Sequence, residues 1–188
     1  MKKWKIVALC TVLACLSIVA SGTLAYFTAQ ETAHNVITSG GVDIQLIEQT
    51  RNEDGSLGPW ENMEDVMPGA VVSKIVTVEN TGASDAWVRI KVDKTIKLAS
   101  GDKGNPEVME LDIKKAFWTE QDGYYYYNDP LAPGETTPPL FTTVTFDAVK
   151  MDNEYQGSKA FIEVKADAVQ VANNGASATV AAGWPASK

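Results

Sequence analysis

A hydrolase or metalloenzyme needs nucleophiles, acids or ligands at workable spacing, and this chain of 188 residues offers few of them. Its one histidine, His34, excludes an H-E-x-x-H zinc helix, which needs two imidazoles on one helical face. Its two cysteines, Cys10 and Cys15, both fall inside an apolar run near the start. A zinc site would therefore have to be built mainly from carboxylates. No G-x-S-x-G elbow, phosphate-cradling P-loop or dinucleotide fingerprint occurs. Asn52-Glu53-Asp54-Gly55, and Asp152-Asn153-Glu154 before Gly157, set oxygen ligands near a glycine as calcium loops do. Neither keeps the D-x-[DN]-x-[DN]-G spacing with its closing glutamate, so both read as solvated turns. His34 reads as a surface or strand residue. The expectation is a chain with no catalytic residues, no metal and no cofactor.

The chemistry that the residues do support is cleavage of the chain itself. Lys2, Lys3 and Lys5 precede an apolar run from Ile6 to Ala20, followed by the small residues Ser21, Gly22, Thr23 and Ala25. That is the layout of a secretory signal peptide, read as a helix over residues 1–25. The run is about 15 residues long, short of the roughly 20 that span a bilayer. Thr23 and Ala25 fit the third and first positions before the cut, and Tyr26 or Phe27 then begins the mature chain. Membrane contact is expected only through the signal peptide before cleavage, and the product is expected to be secreted. Leu13 is too bulky for a lipoprotein box ending at Cys15, and no L-P-x-T-G motif with an apolar helix and basic tail closes the chain. Removing residues 1–25 takes away three lysines and no acid, so the net charge falls from −8 to −11. This opposes nucleic-acid binding. The mature chain keeps no cysteine and must be held by its core.

Stepping along the mature chain, alternation dominates. Val42, Ile44 and Leu46 share one strand face, then 51–64 is rich in breakers. Met67-Pro68-Gly69 introduces a strand with Val72, Val76 and Val78 on one face with Lys74. Asn80-Thr81-Gly82 makes a turn, and Ala86, Val88, Ile90 and Val92 alternate with Trp87, Arg89, Lys91 and Asp93. These two strands are either antiparallel neighbours or a crossing between two sheets. Residues 99–106 form a loop, and Met109, Leu111 and Ile113 resume a strand, with a short helix over 107–117 as the alternative. Trp118 to Asn128 reads as a hairpin turning at Gln121-Asp122-Gly123. Thr142, Val144, Phe146 and Ala148 alternate with Phe141, Thr143, Thr145 and Asp147, and a last strand over 160–171 turns Ile162, Val164, Ala166 and Ala168 inward. Met67-Pro68-Gly69 and Ala132-Pro133-Gly134 form an echo before two strands. Short strands and Gly/Pro turns give an all-β, jelly-roll or immunoglobulin-like antiparallel sandwich preceded by the signal helix. Its parts are the signal at 1–25, an N-terminal strand segment and hinge at 26–41, the sandwich at 42–172 and a tail at 173–188.

Tyr124, Tyr125, Tyr126 and Tyr127 place two rings on each face of a strand, so the run reads as half core and half rim, its outer side a partner or carbohydrate surface. That reading suits a monomeric surface adhesin.

A different class follows from Gly22-Thr23-Leu24-Ala25-Tyr26-Phe27-Thr28 and Asn35-Val36-Ile37-Thr38-Ser39-Gly40-Gly41-Val42-Asp43-Ile44. Together they resemble the start of the TasA/camelysin family of Gram-positive bacteria. The likeness continues through Met67-Pro68-Gly69 and Val76-Thr77-Val78-Glu79-Asn80-Thr81-Gly82, and thins to a strand pattern in the second half. It implies export through a SipW-type signal peptidase and a subunit of biofilm matrix fibres. It implies a head-to-tail partner, a second copy of the same chain, with the freed N-terminal strand of one subunit inserting into the next. An added strand satisfies open backbone groups at a sheet edge while its side chains fill a groove. Phe27, Val36 and Ile37 are the apolar anchors available for it. The camelysin branch carries a metallopeptidase description, which one histidine and no ligand cluster fit poorly.

Overall fold

The computed structural model describes residues 36–39, 41–60 and 67–186. Within them the strands are β1 (Val36–Ser39), β2 (Ile44–Arg51), β3 (Leu57–Pro59), β4 (Val71–Ser73), β5 (Ile75–Asn80) and β6 (Ala86–Lys97). The chain continues through β7 (Lys103–Gly104), β8 (Met109–Leu111), β9 (Trp118–Gln121), β10 (Tyr124–Tyr127), β11 (Thr143–Phe146) and β12 (Lys159–Gln170). One sheet runs β1-β12-β6-β10-β9, with β7 also on β6; the others run β3-β2-β5 and β4-β11-β8. The last two form one layer in practice. The residues between them carry the pairing across, with Val76 N donating to Phe141 O, Leu140 N to Val76 O and Thr137 N to Val78 O. The result is an all-β sandwich.

The core lies between the layers. Val76, Val78, Val88, Ile90, Ile96, Val144 and Phe146 are wholly buried there, as the period-two pattern of their strands requires when one face is dry. Each fully buried side chain of this kind contributes on the order of 1.5–3 kcal/mol. The inward sets on β6 and β12 agree with the alternation in the sequence. Met109–Leu111 is a strand, entered by a single 3-10 turn at Pro106–Val108.

Three local devices set the strand directions. Asn80-Thr81-Gly82 is a crossing between sheets: Asn80 is buried, its Nδ2 donates to Ser84 O and Leu131 O, and its Oδ1 accepts from Gly82 N. Its amide is thereby satisfied in a dry corner, where a missing partner would cost about 1–3 kcal/mol. Gly82 fits because a Cβ there would sit 2.6 Å from Asp43 N. The Pro-Gly echo is real at the level of conformation. Gly69 and Gly134 have φ of 78° and 77°, and Ala70 N and Glu135 N close back on Met67 O and Ala132 O, the type II turn that proline followed by glycine favours. The hairpin of β9 and β10 turns at Asp122 and Gly123, both at positive φ, which matches the twist of its strands.

Three expectations change. Leu57–Pro59 is a strand inside what reads as loop, paired with β2 from Gln49 to Arg51. Phe141, assigned by alternation to the outer face, is wholly buried. The reason is Asp112: its Oδ1 accepts from both Thr142 N and Thr143 N at 2.7 Å, and two successive amides pointing one way shift the alternation, as in a bulge. Trp87 and Arg89 do face outward from β6, yet only 4% and 7% of their surface is exposed, because residues from the C-terminal tail lie over them.

Candidate functional site

Both termini of the described domain converge on β12. The strand has β6 along one edge over its whole length, from Lys159 opposite Lys97 to Gln170 opposite Ala86. Along the other edge β1 pairs in parallel, from Val36 opposite Ala166 to Ser39 opposite Val169. Among the described residues four positions of the twelve are paired on that side. From Ala160 to Lys165 no strand of the described residues pairs with this edge. Along this stretch Phe161, exposed on the outer face, alternates with buried Ala160, Ile162 and Val164. Such an edge is a template for another strand. Val36 and Ile37 therefore lie on the edge of β12, opposite Ala166 and Asp167. Thr23, Ala25, Tyr26, Phe27 and His34 lie outside the described residues.

The tyrosine run splits by face. Tyr125 and Tyr127 pack against the inner core, Tyr127 with its ring 5.4 Å from that of Trp118. Tyr126 is buried on the outer face with Trp87, Val169 and Ala178, under Trp184, whose ring meets it edge-on at 5.8 Å. Tyr124 lies over the Arg89 guanidinium at 3.9 Å. The four rings do not make one platform.

Arg89 is the centre of that outer face. Its Nε donates to Asp167 Oδ2 at 2.8 Å and its Nη2 to Pro185 O at 2.7 Å, and the Trp184 ring lies 4.8 Å from its charge. A planar cation between two rings with its donors satisfied suits an almost dry site. The sequence gives a signal for this in hindsight: an arginine flanked on a strand by tryptophan, and a lone Trp-Pro in an otherwise small and polar tail.

Two charged clusters remain. Lys74 is fully buried between β4 and β5, bonded to Glu48 and set 4.3 Å from the centre of the Trp60 ring. Burial pushes its ammonium below the ordinary lysine value, against the pull of Glu48. Alternation brought Lys74 to the inner face, and Glu48, opposite Val76 on β2, is what lets it stay. Asp112 staples β8 to the start of β11. Burial raises its carboxyl, but bonds from Lys114 Nζ, the Thr142 hydroxyl and the two amides outweigh that and hold it well below the ordinary carboxylate value.

A cleft of about 440 Å³ opens between β8 and the inner faces of β6 and β10, lined by Val92, Leu111, Ile113 and Tyr125 with charges at its rim. Those charges neutralise one another, Lys94 with Glu107 at 3.4 Å and Lys150 with Glu110 at 2.7 Å. Burial, with Glu120 and Glu107 nearby, pushes the Tyr125 phenol above its ordinary value.

Among the described residues no group of three or more His, Cys, Asp or Glu side chains is placed to hold a metal ion. The two acidic loops use their oxygens within the turn: Asp54 Oδ1 accepts from Ser56 N and Oγ, and Asp152 Oδ1 from Glu154 N. The residues described do not fit a zinc centre, and no step of hydrolysis is derived from them.

Against known proteins, the family model described as camelysin metallo-endopeptidase matches residues 1–124. No curated protein and no solved structure matches the chain.

Proposed function

The chain belongs to the camelysin family, and from that premise we propose that it is a secreted structural protein, a subunit of extracellular or biofilm matrix fibres that assembles by donating its N-terminal strand. The observation that supports this reading is the parallel pairing of Val36–Ser39 with Ala166–Val169, which makes the end of the N-terminal segment an edge strand of the β12 sheet. A strand from a second copy gains backbone bonds there that water supplies otherwise, and side chains in register add specificity. Because one end of a subunit meets a different surface of the next, the contact does not close on itself and propagates. A SipW-type signal peptidase, cutting after Ala25, frees the donor segment. Its apolar anchors are Phe27, Val36 and Ile37.

The family's description as a metallo-endopeptidase is the competing class. The single histidine of the chain and the unsuitable donor geometry of the described residues support the structural role over it. Electron microscopy of the chain from Tyr26 onward, with and without residues 26–38, tests the proposal. Filaments are expected from the first and a soluble monomer from the second; undiminished filaments after the deletion would overturn strand donation. Chelator-sensitive proteolysis with stoichiometric zinc in the purified protein would overturn the structural role.

A further inference from the structure

The outer face of the β12-β6-β10 sheet is occupied in a way unlike the rest of the fold. After Val171, whose N–H donates to Asp85 O at 3.1 Å, no backbone-to-backbone hydrogen bond ties residues 172–186 to the sheet among the described residues. The segment is held instead as a ligand is held, by side chains gripping its backbone and by apolar insertion. Trp87 Nε1 donates to Asn174 O at 3.1 Å, and Arg89 Nη2 donates to Pro185 O at 2.7 Å. Between these two grips Ala178 is buried and the Trp184 ring closes over Tyr126 and Arg89. The segment also keeps its own shape. Asn174 Nδ2 donates to Ala182 O and Asn174 Oδ1 accepts from Ala182 N, at 3.0 and 2.8 Å, so it docks as a preformed loop. An aromatic-lined surface that takes a proline-bearing segment is a known mode of peptide recognition, and a preformed segment loses little conformational freedom on docking.

We infer that this face is a peptide-docking site whose ligand is the C-terminal segment 172–188, taken from its own chain in the monomer and from a second copy where chains are concentrated. Two observations support exchange. Every copy carries the same ligand, so the contacts made between chains repeat those made within one. The segment leaves the sheet at Asn173 and Gly175, both at positive φ, 57° and 76°, a pivot that breaks no strand pairing when it swings. The tethered segment competes at an effective concentration in the millimolar range. Exchange is therefore negligible in dilute solution and appears on crowding.

The test uses the full chain and a synthetic peptide of residues 172–188. Trp184→Ala in the chain removes the tethered competitor's anchor and leaves Trp87, Arg89 and Tyr126 in place. The peptide is expected to bind this variant one to one, at least tenfold tighter than it binds the unaltered chain, and to lose that binding when the peptide itself carries Trp184→Ala. Equal binding to the two chains, no binding to either, or indifference to the tryptophan in the peptide would overturn the inference. Should the variant fail to fold, a second measurement decides. With Trp184 replaced by photoreactive benzoylphenylalanine, crosslinks to the β10 or β6 peptides within one chain are expected when dilute, and interchain crosslinks to the same peptides at high concentration. Purely intrachain crosslinks at every concentration would overturn it. Both readouts are independent of the N-terminal strand, so failure of strand donation leaves them unchanged.

Discussion

Two ends of one chain meet near Ala166–Val169 of β12, and they are held by opposite means. At the edge, β1 is attached through the parallel backbone ladder from Val36 to Ser39. On the outer face, residues 172–186 are attached through the side chains of Trp87, Arg89 and Tyr126. A ladder reads only that a strand is present in the right register, and tolerates many sequences. A docking face reads particular side chains. The N-terminal contact is thus suited to a general, repeatable joint, and the C-terminal one to discrimination among segments.

The largest effect should come from removing the joint altogether. Deleting residues 26–38 is expected to abolish filaments outright while leaving the outer face intact, which near-ultraviolet circular dichroism of Trp87 and Trp184 reports. Next comes Arg89→Met, which strands the Asp167 carboxylate and the Pro185 carbonyl in a nearly dry site. A loss of about 3 kcal/mol in urea unfolding is expected, and a loss under about 1 kcal/mol would mean that the outer face is open to water. Trp184→Ala is expected to cost about 2 kcal/mol, less than a fully buried tryptophan because the residue is only partly buried.

The ladder makes a subtler prediction. In a parallel pair alternate residues donate to the neighbour, so one of Ile37→Pro and Thr38→Pro must delete a donor and should free β1, raising amide exchange along Ala166–Val169 by at least tenfold. Ile37→Val should leave it within about 0.5 kcal/mol; equal disruption by valine and proline would erase the distinction between the two ends. The smallest effect belongs to acid. The Asp112 carboxyl is held below its unfolded value of 3.8, so its contribution to stability is complete above the ordinary carboxylate range and is lost as pH falls through and below it. Asp112→Asn should flatten the acid limb of the stability curve without moving the tryptophan signals, because Asp112 lies in the other layer.

The same contrast decides what could be read from the sequence. Alternation along Ala86–Val92 and Ile162–Ala168 made the inner faces legible, since a buried face enforces period two residue by residue. It could not reveal what lies over the outer face. Trp87 and Arg89 looked like rim residues because the segment covering them has no periodicity, and Trp184 is a single residue in a run of small ones. Lys74 sat on the core face by count, and only the pairing of β2 with β5 brings Glu48 to it. Phe141 was misplaced because a side chain 29 residues away, Asp112, offsets the strand by one position. The family-bearing motif from Gly22 to Ile44 was legible as a motif, but the register of Val36–Ser39 on β12 follows from three-dimensional pairing alone.

The parallel partnership of β1 with β12 also sets an order of events in folding. Val36 and Ala166 are separated by about 130 residues of chain, which makes this the contact of greatest sequence separation in the domain's pairing and one whose closure entropy is repaid only after the intervening sandwich has collapsed. The N-terminal segment is therefore the last strand to settle on its own chain. If strand donation operates, the segment stands during that interval beside the edge of β12 without being committed to it, and a neighbouring subunit need only arrive sooner. On this view the choice between a closed monomer and a growing chain of subunits is a race between an intramolecular and a bimolecular step, set by concentration at the moment of release.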